Sequence, residues 1–404
     1  MKKHCYISIL LLAILGFQAQ GQLSLNQQLL ILKTYLSQGK IQEAQQFIDK
    51  NIKQWTPELL MEQGNAYYLA SNFKEALNQY LQANQQNNNM GVYQIAACYA
   101  QINKPEQACG YLKQHLQSKN RGMQFQIKSD EAFRTIGNSS AWKELWKTDW
   151  YSKYELMFED AWYEYLNKKY AESLEILNQL TGIRKSMTEA FYLKALVYEV
   201  LGENENALIC IDNVLNKKTV QAKDYLVKSR LELKTQNPRK AFKAIEAALE
   251  SDSTQMDLYL ERAKINLAME KEEAAVQDIA FLLEYAPSTQ VYLLASDIYA
   301  QAKEYNLAIK SLNQCILTDT YQPELYIRRG DLYAQTLLFE FAIKDFTMAL
   351  DFQPADGELY YKRGKARLGM GNRTDACSDF QKAYSLKFTE ADAMIRQHCQ
   401  QHLK

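Results

Sequence analysis

Cysteine and histidine are the residues in this sequence with the most chemistry to offer. His398 and His402 stand four apart with Cys399 beside the first, a spacing able to hold a metal ion if the tail is ordered. A solvated tail is the alternative, and it is the reading adopted: no metal and no cofactor is expected. Of the seven cysteines, Cys5 lies in the N-terminal segment, and the other six are Cys98, Cys109, Cys210, Cys315, Cys377 and Cys399. Cys377 and Cys399 each stand eleven residues from Phe388, near which a turn is expected. Cys98 and Cys109 flank Asn103-Lys104 about as evenly. In an antiparallel hairpin, equal distances from the turn bring two residues level. Disulfides Cys377–Cys399 and Cys98–Cys109 are therefore the expectation, provided the chain is exported. The competing expectation is that all six are small buried fillers.

Little else suggests catalysis. There is no glycine-rich phosphate loop, no serine elbow and no Cys-x-x-Cys pair. Acidic residues are spread along the chain instead of being gathered in pairs. The expectation is that the protein is not an enzyme.

The element that must position these residues is a repeat. Gly330, Tyr333, Ala342, Phe346, Ala349 and Pro354 recur 34 residues on as Gly364, Arg367, Ala376, Phe380, Ala383 and Phe388. Upstream the series reads Ser296, Tyr299, Ala308, Leu312, Cys315, and before it Ala263, Ala275, Ile279, Leu282. It continues back through Ser229 and Ala241, Ala195 and Ala207, Ala161 and Ser173, Ala96 and Ala108, and Gly64 and Ala76. A weaker copy holds Leu32, Tyr35, Ala44 and Ile48. Each copy carries two apolar stripes with helical spacing. Two helices per copy are predicted, with a short polar turn between them and prolines such as Pro57, Pro287, Pro323 and Pro354 between copies.

This pattern of small, aromatic and small residues every 32–34 positions resembles the tetratricopeptide repeat family, over nearly all of the chain after its first twenty residues. The resemblance implies an all-α solenoid of stacked helix-turn-helix hairpins in a right-handed superhelix. One hairpin cannot bury both of its faces, so copies must stack. It also implies a concave groove lined by the first helix of each copy. On this chain the inward positions are Phe158, Trp162 and Tyr165, then Tyr192, Leu196 and Glu199, then Leu226, Arg230 and Lys234. Leu260, Lys264, Asp297, Asp331, Tyr361 and Lys365 extend the series. The aromatics could equally be core between copies.

The period fails between Gln117 and Tyr154. Trp142, Trp146 and Trp150 lie there four apart on one helical face, as a capping helix on the first block or as an exposed docking ridge. Gln82 to Asn89 reads as a polar loop. The expected organisation is a signal peptide over 1–21, a first repeat block over 22–117 and an irregular insertion over 118–152. A second repeat array follows over 153–388, and a closing helix over 389–404.

Lys2 and Lys3, an apolar run from Ile7 to Phe17, and the small residues of Ala19-Gln20-Gly21 read as a secretory signal, or else as an uncleaved anchor. No later segment is long and apolar enough to span a membrane. Formal net charge is zero, with 47 basic and 47 acidic residues, which excludes nucleic acid as a natural partner. No polybasic block offers itself to an anionic membrane surface. The expectation is an exported scaffold of the periplasm or cell envelope that binds a protein or peptide in its groove. The alternative is an outer-membrane accessory protein that binds a glycan or nutrient. The oligomeric state has no signature in the sequence.

Overall fold

In the computed structural model, which describes residues 23–217 and 220–399, every regular element among the described residues is a helix. The chain divides into unit 1, ending at Leu258, and unit 2, from Tyr259 onward. Unit 1 begins with three helical hairpins: α1 (Leu25–Ser37) with α2 (Ile41–Asn51), α3 (Pro57–Leu69) with α4 (Phe73–Gln86), and α5 (Val92–Gln101) with α6 (Pro105–Leu116). An irregular stretch follows: α7 (Gln124–Ser129), a 3-10 helix (Glu131–Ile136) and α8 (Ser140–Leu145). The hairpins then resume with α9 (Lys153–Leu166) and α10 (Tyr170–Ile183), α11 (Thr188–Leu201) and α12 (Asn204–Leu215), and α13 (Ala222–Lys234) and α14 (Pro238–Ser251). The division falls inside α15 (Met256–Ala268), which is followed by α16 (Glu272–Tyr285). Unit 2 continues with α17 (Thr289–Gln301) and α18 (Tyr305–Thr318), α19 (Pro323–Gln335) and α20 (Phe339–Phe352), and α21 (Gly357–Gly369) and α22 (Arg373–Ser385), closed by α23 (Ala391–His398).

Each hairpin turns on one residue in the left-handed region: Gly39, Ser71, Asn103, Lys168, Gly202, Gln236, Glu270, Lys303, Leu337 and Gly371. The next residue's N–H reaches back to a carbonyl in the last turn of the first helix, as in Lys104 N to Tyr99 O (2.9 Å), Asn237 N to Glu232 O (2.8 Å) and Leu338 N to Tyr333 O (2.8 Å). That closure satisfies carbonyls the helix end would otherwise orphan. Pro57 and Pro323 open first helices, and Pro105 and Pro238 open second ones, where a missing N–H costs nothing.

Packing within a hairpin rests on pairs sixteen positions apart. Gly64 faces Tyr80, Gly330 faces Phe346 and Gly364 faces Phe380, all three rings being buried. A Cβ at these glycines would lie 2.4, 2.8 and 2.7 Å from the respective ring. Where the first position holds Ala or Ser, the second is aliphatic: Ala96 with Leu112, Ala161 with Leu177, Ala195 with Ile211, Ser229 with Ile245, Ser296 with Leu312. Small partners large in a size-matched way, as native packing density requires.

Unit 2 adds a polar lock at the same spacing. Arg262, Arg329 and Arg363 each fork onto the carboxylate sixteen residues on, Asp278, Asp345 and Asp379, at 2.6–3.2 Å. Arg329 also donates to Asn313 (2.7 Å) and Arg363 to Thr347 (3.2 Å), both on the preceding hairpin's second helix. One guanidinium therefore ties three helices.

Unit 1 differs at its ends. Leu29 to Leu32 are buried all round α1. Asn26 Nδ2 donates to Ser253 Oγ (2.9 Å) and Lys33 Nζ to Thr254 Oγ1 (2.6 Å), so the first helix of the unit meets its last loop.

One expectation needs correcting. Gln82 to Gln86 are not loop but the last turns of α4, because Ala83 and Tyr80 are core residues that extend the helix; the connection is 87–91. The irregular stretch packs its Phe133, Ile136 and Leu145 into one cluster with Ala96, Ala100 and Leu112. The signal sequence and His402 lie outside the described residues.

Arg329→Lys keeps the charge but loses the fork, and it should lower the unfolding free energy by about 1–3 kcal/mol in urea titration. The exposed pair Arg328–Asp297 supplies the control: Arg328→Lys should change it by less than about 0.5 kcal/mol. Equal effects would show that the fork adds nothing.

Candidate functional site

The first helices of unit 1 set an aromatic row. Phe158, Trp162 and Tyr165 follow one another along α9 with ring centroids 6.0 and 5.9 Å apart, and Tyr170 of α10 continues at 5.9 Å. The i, i+4 and i+3 spacings place them on one stripe. Phe158 is buried; Trp162 and Tyr165 are half-buried against Leu177 and Leu193. The row is thus core on one side and surface on the other.

One hairpin along, Tyr192 of α11 is half-buried. Burial first, then the Asp224 carboxylate nearby, pushes its hydroxyl above the usual range, with the Arg230 charge opposing. Glu199, on the same helix, accepts from Arg230 (3.0 Å) and Lys234 (2.9 Å) of α13. The structure therefore brings Tyr165, Tyr192, Glu199, Arg230 and Lys234 together on the face shared by α9, α11 and α13. Leu196 is half-buried against Ala195, Ile211 and Val227, and Leu226 is half-buried on α13. Lys264 belongs to unit 2, where it pairs with Glu261 (3.4 Å). Leu260 is core, 3% exposed, and offers no surface.

In unit 2 the corresponding residues are held by their neighbours. Lys362 bonds Asp331 (2.9 Å), Arg328 bonds Asp297 (3.2 Å), and Tyr361 packs on Phe388 (5.1 Å) with Lys365 over its face (5.5 Å). A cleft of about 580 Å³ opens there between Asp331, Phe339, Tyr361, Lys365 and Phe388.

Unit 1 has two adjoining clefts that the repeat pattern does not announce. One, of about 410 Å³, lies between Met123, Phe158, Trp162, Tyr192 and Lys223. The other, of about 600 Å³, lies between Arg121, Tyr151, Tyr154, Phe158 and Arg184. Their outer wall is the 119–123 loop, shaped by Gly122 at φ +73°. Their rim comes from Arg184 in a connection between hairpins and from the N-terminal turns of α9, α11 and α13. Glu155, Glu189 and Lys223 recur 34 apart in the first turns of α9, α11 and α13, whereas Lys119, Arg121 and Arg184 lie in connections that the helical stripes do not place; for the loop the sequence signal was the Ser118 to Gly122 break itself.

The tryptophans of the irregular stretch are not a free ridge. Trp142 stacks on Phe133 (5.5 Å) and meets Trp146 (5.7 Å), and Trp150 Nε1 donates to Leu145 O (2.9 Å). All three are half-buried on the cluster of α5 and α6.

Cys377 Sγ and Cys399 Sγ are bonded, joining α22 to the end of α23. Ala391 is buried and Met394 and Ile395 pack on Phe380 and Ala383, so the closing helix covers the last hairpin. The expected Cys98–Cys109 bridge does not form; both thiols are free. Equal distance from the turn levels two residues without making them face each other. Cys98 points into the cluster of Tyr80 and Ile95, and Cys109 into that of Ala97 and Phe133. Burial pushes the Cys98 thiol up to about 12 and those of Cys109 and Cys315 up to about 11, which leaves them inert as nucleophiles. Among the described residues no group of three His, Cys, Asp or Glu side chains could hold a metal ion. Nor is any helix there long and apolar enough to cross a membrane.

Two hairpins of unit 2 match a known repeat family. The tetratricopeptide repeat family matches residues 289–320 and 357–390, so the chain contains tetratricopeptide repeats. Among solved structures, this chain is similar to a tetratricopeptide repeat protein from Parabacteroides merdae, at 19% identity over 58% of this chain and 93% of that one, with a TM-score of 0.46. It is also similar to the C-terminal part of a repeat-containing protein from Cytophaga hutchinsonii, at 17% identity over 58% of this chain and 98% of that one, with a TM-score of 0.49. No curated protein matches.

Alkylation of the native protein should spare Cys98, Cys109, Cys210 and Cys315 until it is unfolded. Reduction should raise hydrogen exchange selectively in Ala391–His398. Unchanged exchange after reduction would show that α23 holds without its covalent tie.

Proposed function

We propose that the protein is a scaffold of the cell envelope that holds a partner protein or peptide along the first helices of unit 1. The observation that carries this is the shared face of α9, α11 and α13. Half-buried aromatics (Trp162, Tyr165, Tyr192) stand there beside the charged cluster of Glu199, Arg230 and Lys234. Tyrosine, tryptophan and arginine supply most of the energy at interfaces, because they desolvate large areas and lose little rotamer freedom. The groups are fixed before any partner arrives, which lowers the ordering cost of binding.

Placement in the envelope is supported by two features. The Cys377–Cys399 bond belongs in an oxidising compartment. The first 21 residues have the charge, apolar run and small residues of a secretory signal. Nothing in the arrangement favours a reaction: the buried thiols are inert, Glu199 is paired with two cations, and Glu159 and Asp224 accept from the backbone at helix starts.

A photo-crosslinking residue at position 196 or 226 should capture a defined partner in cells, and one at the outward Ile209, 63% exposed, should not. Capture from position 209 alone would overturn the assignment of the face. N-terminal sequencing of the native protein should begin at Gln22.

A further inference from the structure

The two adjoining clefts of unit 1 have an imbalance in their charges that says what they recognise. Formally the rim is neutral, with Lys119, Arg121, Arg184 and Lys223 against Glu155, Glu159, Glu189 and Asp224. Three of the four carboxylates are already committed. Glu155 is bonded by Arg121 and accepts from Ser152 N at 2.8 Å. Glu159 accepts from Phe125 N (3.1 Å) and Gln124 N at the start of α7. Asp224 accepts from Gln221 N (2.8 Å) and caps α13. Only Glu189, exposed, has its charge uncommitted there.

The cations are spent differently. Arg184 lies over the Tyr154 ring at 4.7 Å and Lys223 over the Tyr192 ring at 5.0 Å. Lys119 is exposed on the loop. Among the described residues no carboxylate stands within ion-pair distance of these three. An aromatic face attracts a cation but leaves its N–H donors unused. In the wall behind them, Arg121 Nε and the Tyr151 hydroxyl also find no acceptor, and Tyr151 is only 8% exposed. The clefts are therefore rich in donors and poor in acceptors, over a floor of Phe158 and Trp162.

We propose that these clefts take an extended peptide segment of the partner in which carboxylate side chains alternate with aromatic or aliphatic ones. This rests on the reading of unit 1 as the partner-binding part and specifies its ligand. Carboxylates complete the unused donors of Lys119, Arg184 and Lys223, charge-assisted and partly shielded from water. Apolar side chains fill the floor. A single small anion would satisfy the cations and leave the aromatic floor bare; the two lobes share Lys119, Asn120, Met123, Phe158, Glu189 and Lys223 and so form one track.

The test is fluorescence anisotropy with a fluorescein-labelled peptide of alternating Glu and Phe, beside its Gln and Lys counterparts, on the whole protein. The Glu peptide should bind at least about tenfold tighter than the Gln peptide, with a preference that falls as salt rises. The triple variant Lys119→Glu, Arg184→Glu, Lys223→Glu, all at exposed positions, should abolish that preference and keep a native circular dichroism spectrum. Equal binding of the three peptides, lost in Trp162→Ala, would overturn the acidic preference and leave the partner-binding face standing. Tighter binding of the Lys peptide would overturn the inference outright. Failure of all three peptides to bind would also overturn it, while the crosslinking from positions 196 and 226 judges the face separately.

Discussion

Everything in this molecule depends on how closely two helices can approach at one crossing point. In each well-formed hairpin a residue on the first helix and another sixteen positions later share that point, and their sizes are matched. Glycine meets an aromatic ring at Gly64, Gly330 and Gly364; alanine or serine meets a branched aliphatic elsewhere. A hairpin built this way still exposes two apolar flanks. Only another hairpin can cover them, which is why the crossing geometry dictates a repeated stack. The turn residue in the left-handed region and the back-reaching N–H fix the hairpin angle, so every copy presents its first helix in the same sense.

Function follows from what such a stack leaves over. Burying both flanks leaves the outer faces of successive first helices as neighbours. On α9, α11 and α13 those faces carry aromatic and ionic groups already braced by one another: Glu199 spans to two cations on the next first helix. A surface rigid before binding spends little entropy on ordering. The irregular stretch adds something the repeats cannot. It replaces a hairpin by short helices and a loop, caps the α5–α6 cluster with tryptophan, and raises a wall beside the aromatic row. At the other end of the chain, α23 ends unit 2 in a different way, with a small apolar lid tied covalently to α22.

The fold was legible because size matching at fixed spacing leaves a periodic trace. Gly330 and Phe346 recur as Gly364 and Phe380, and the turn and cap residues fall where that period puts them. The period also puts Phe158, Tyr192 and Leu226 at equivalent points of successive first helices. Leu260 and the pair Cys98–Cys109 were misread because spacing along a helix fixes height but not which neighbour a side chain meets. The last turns of α4 were misread because a run of glutamine and asparagine hides the apolar stripe of Tyr80 and Ala83. The clefts beside Phe158 were legible only in their floor, where Phe158, Trp162 and Tyr192 stand at inward positions of the period. Their walls come from Arg121 and Arg184, which lie in connections, and from Lys223 in the first turn of α13, and the three meet only in space.

The most direct test of the size-matched crossing is a double-mutant cycle of Gly330→Ala and Phe346→Leu, read by equilibrium unfolding. A Cβ at Gly330 would lie 2.8 Å from the Phe346 ring, so each single change should cost about 1–3 kcal/mol, the first by crowding and the second by a cavity. The double variant, which recreates the alanine–aliphatic pairing of the other hairpins, should recover about 1 kcal/mol or more of the summed loss. Strictly additive losses would mean that the two positions do not set the helix approach together, and size matching at the crossing could not then be what builds the stack.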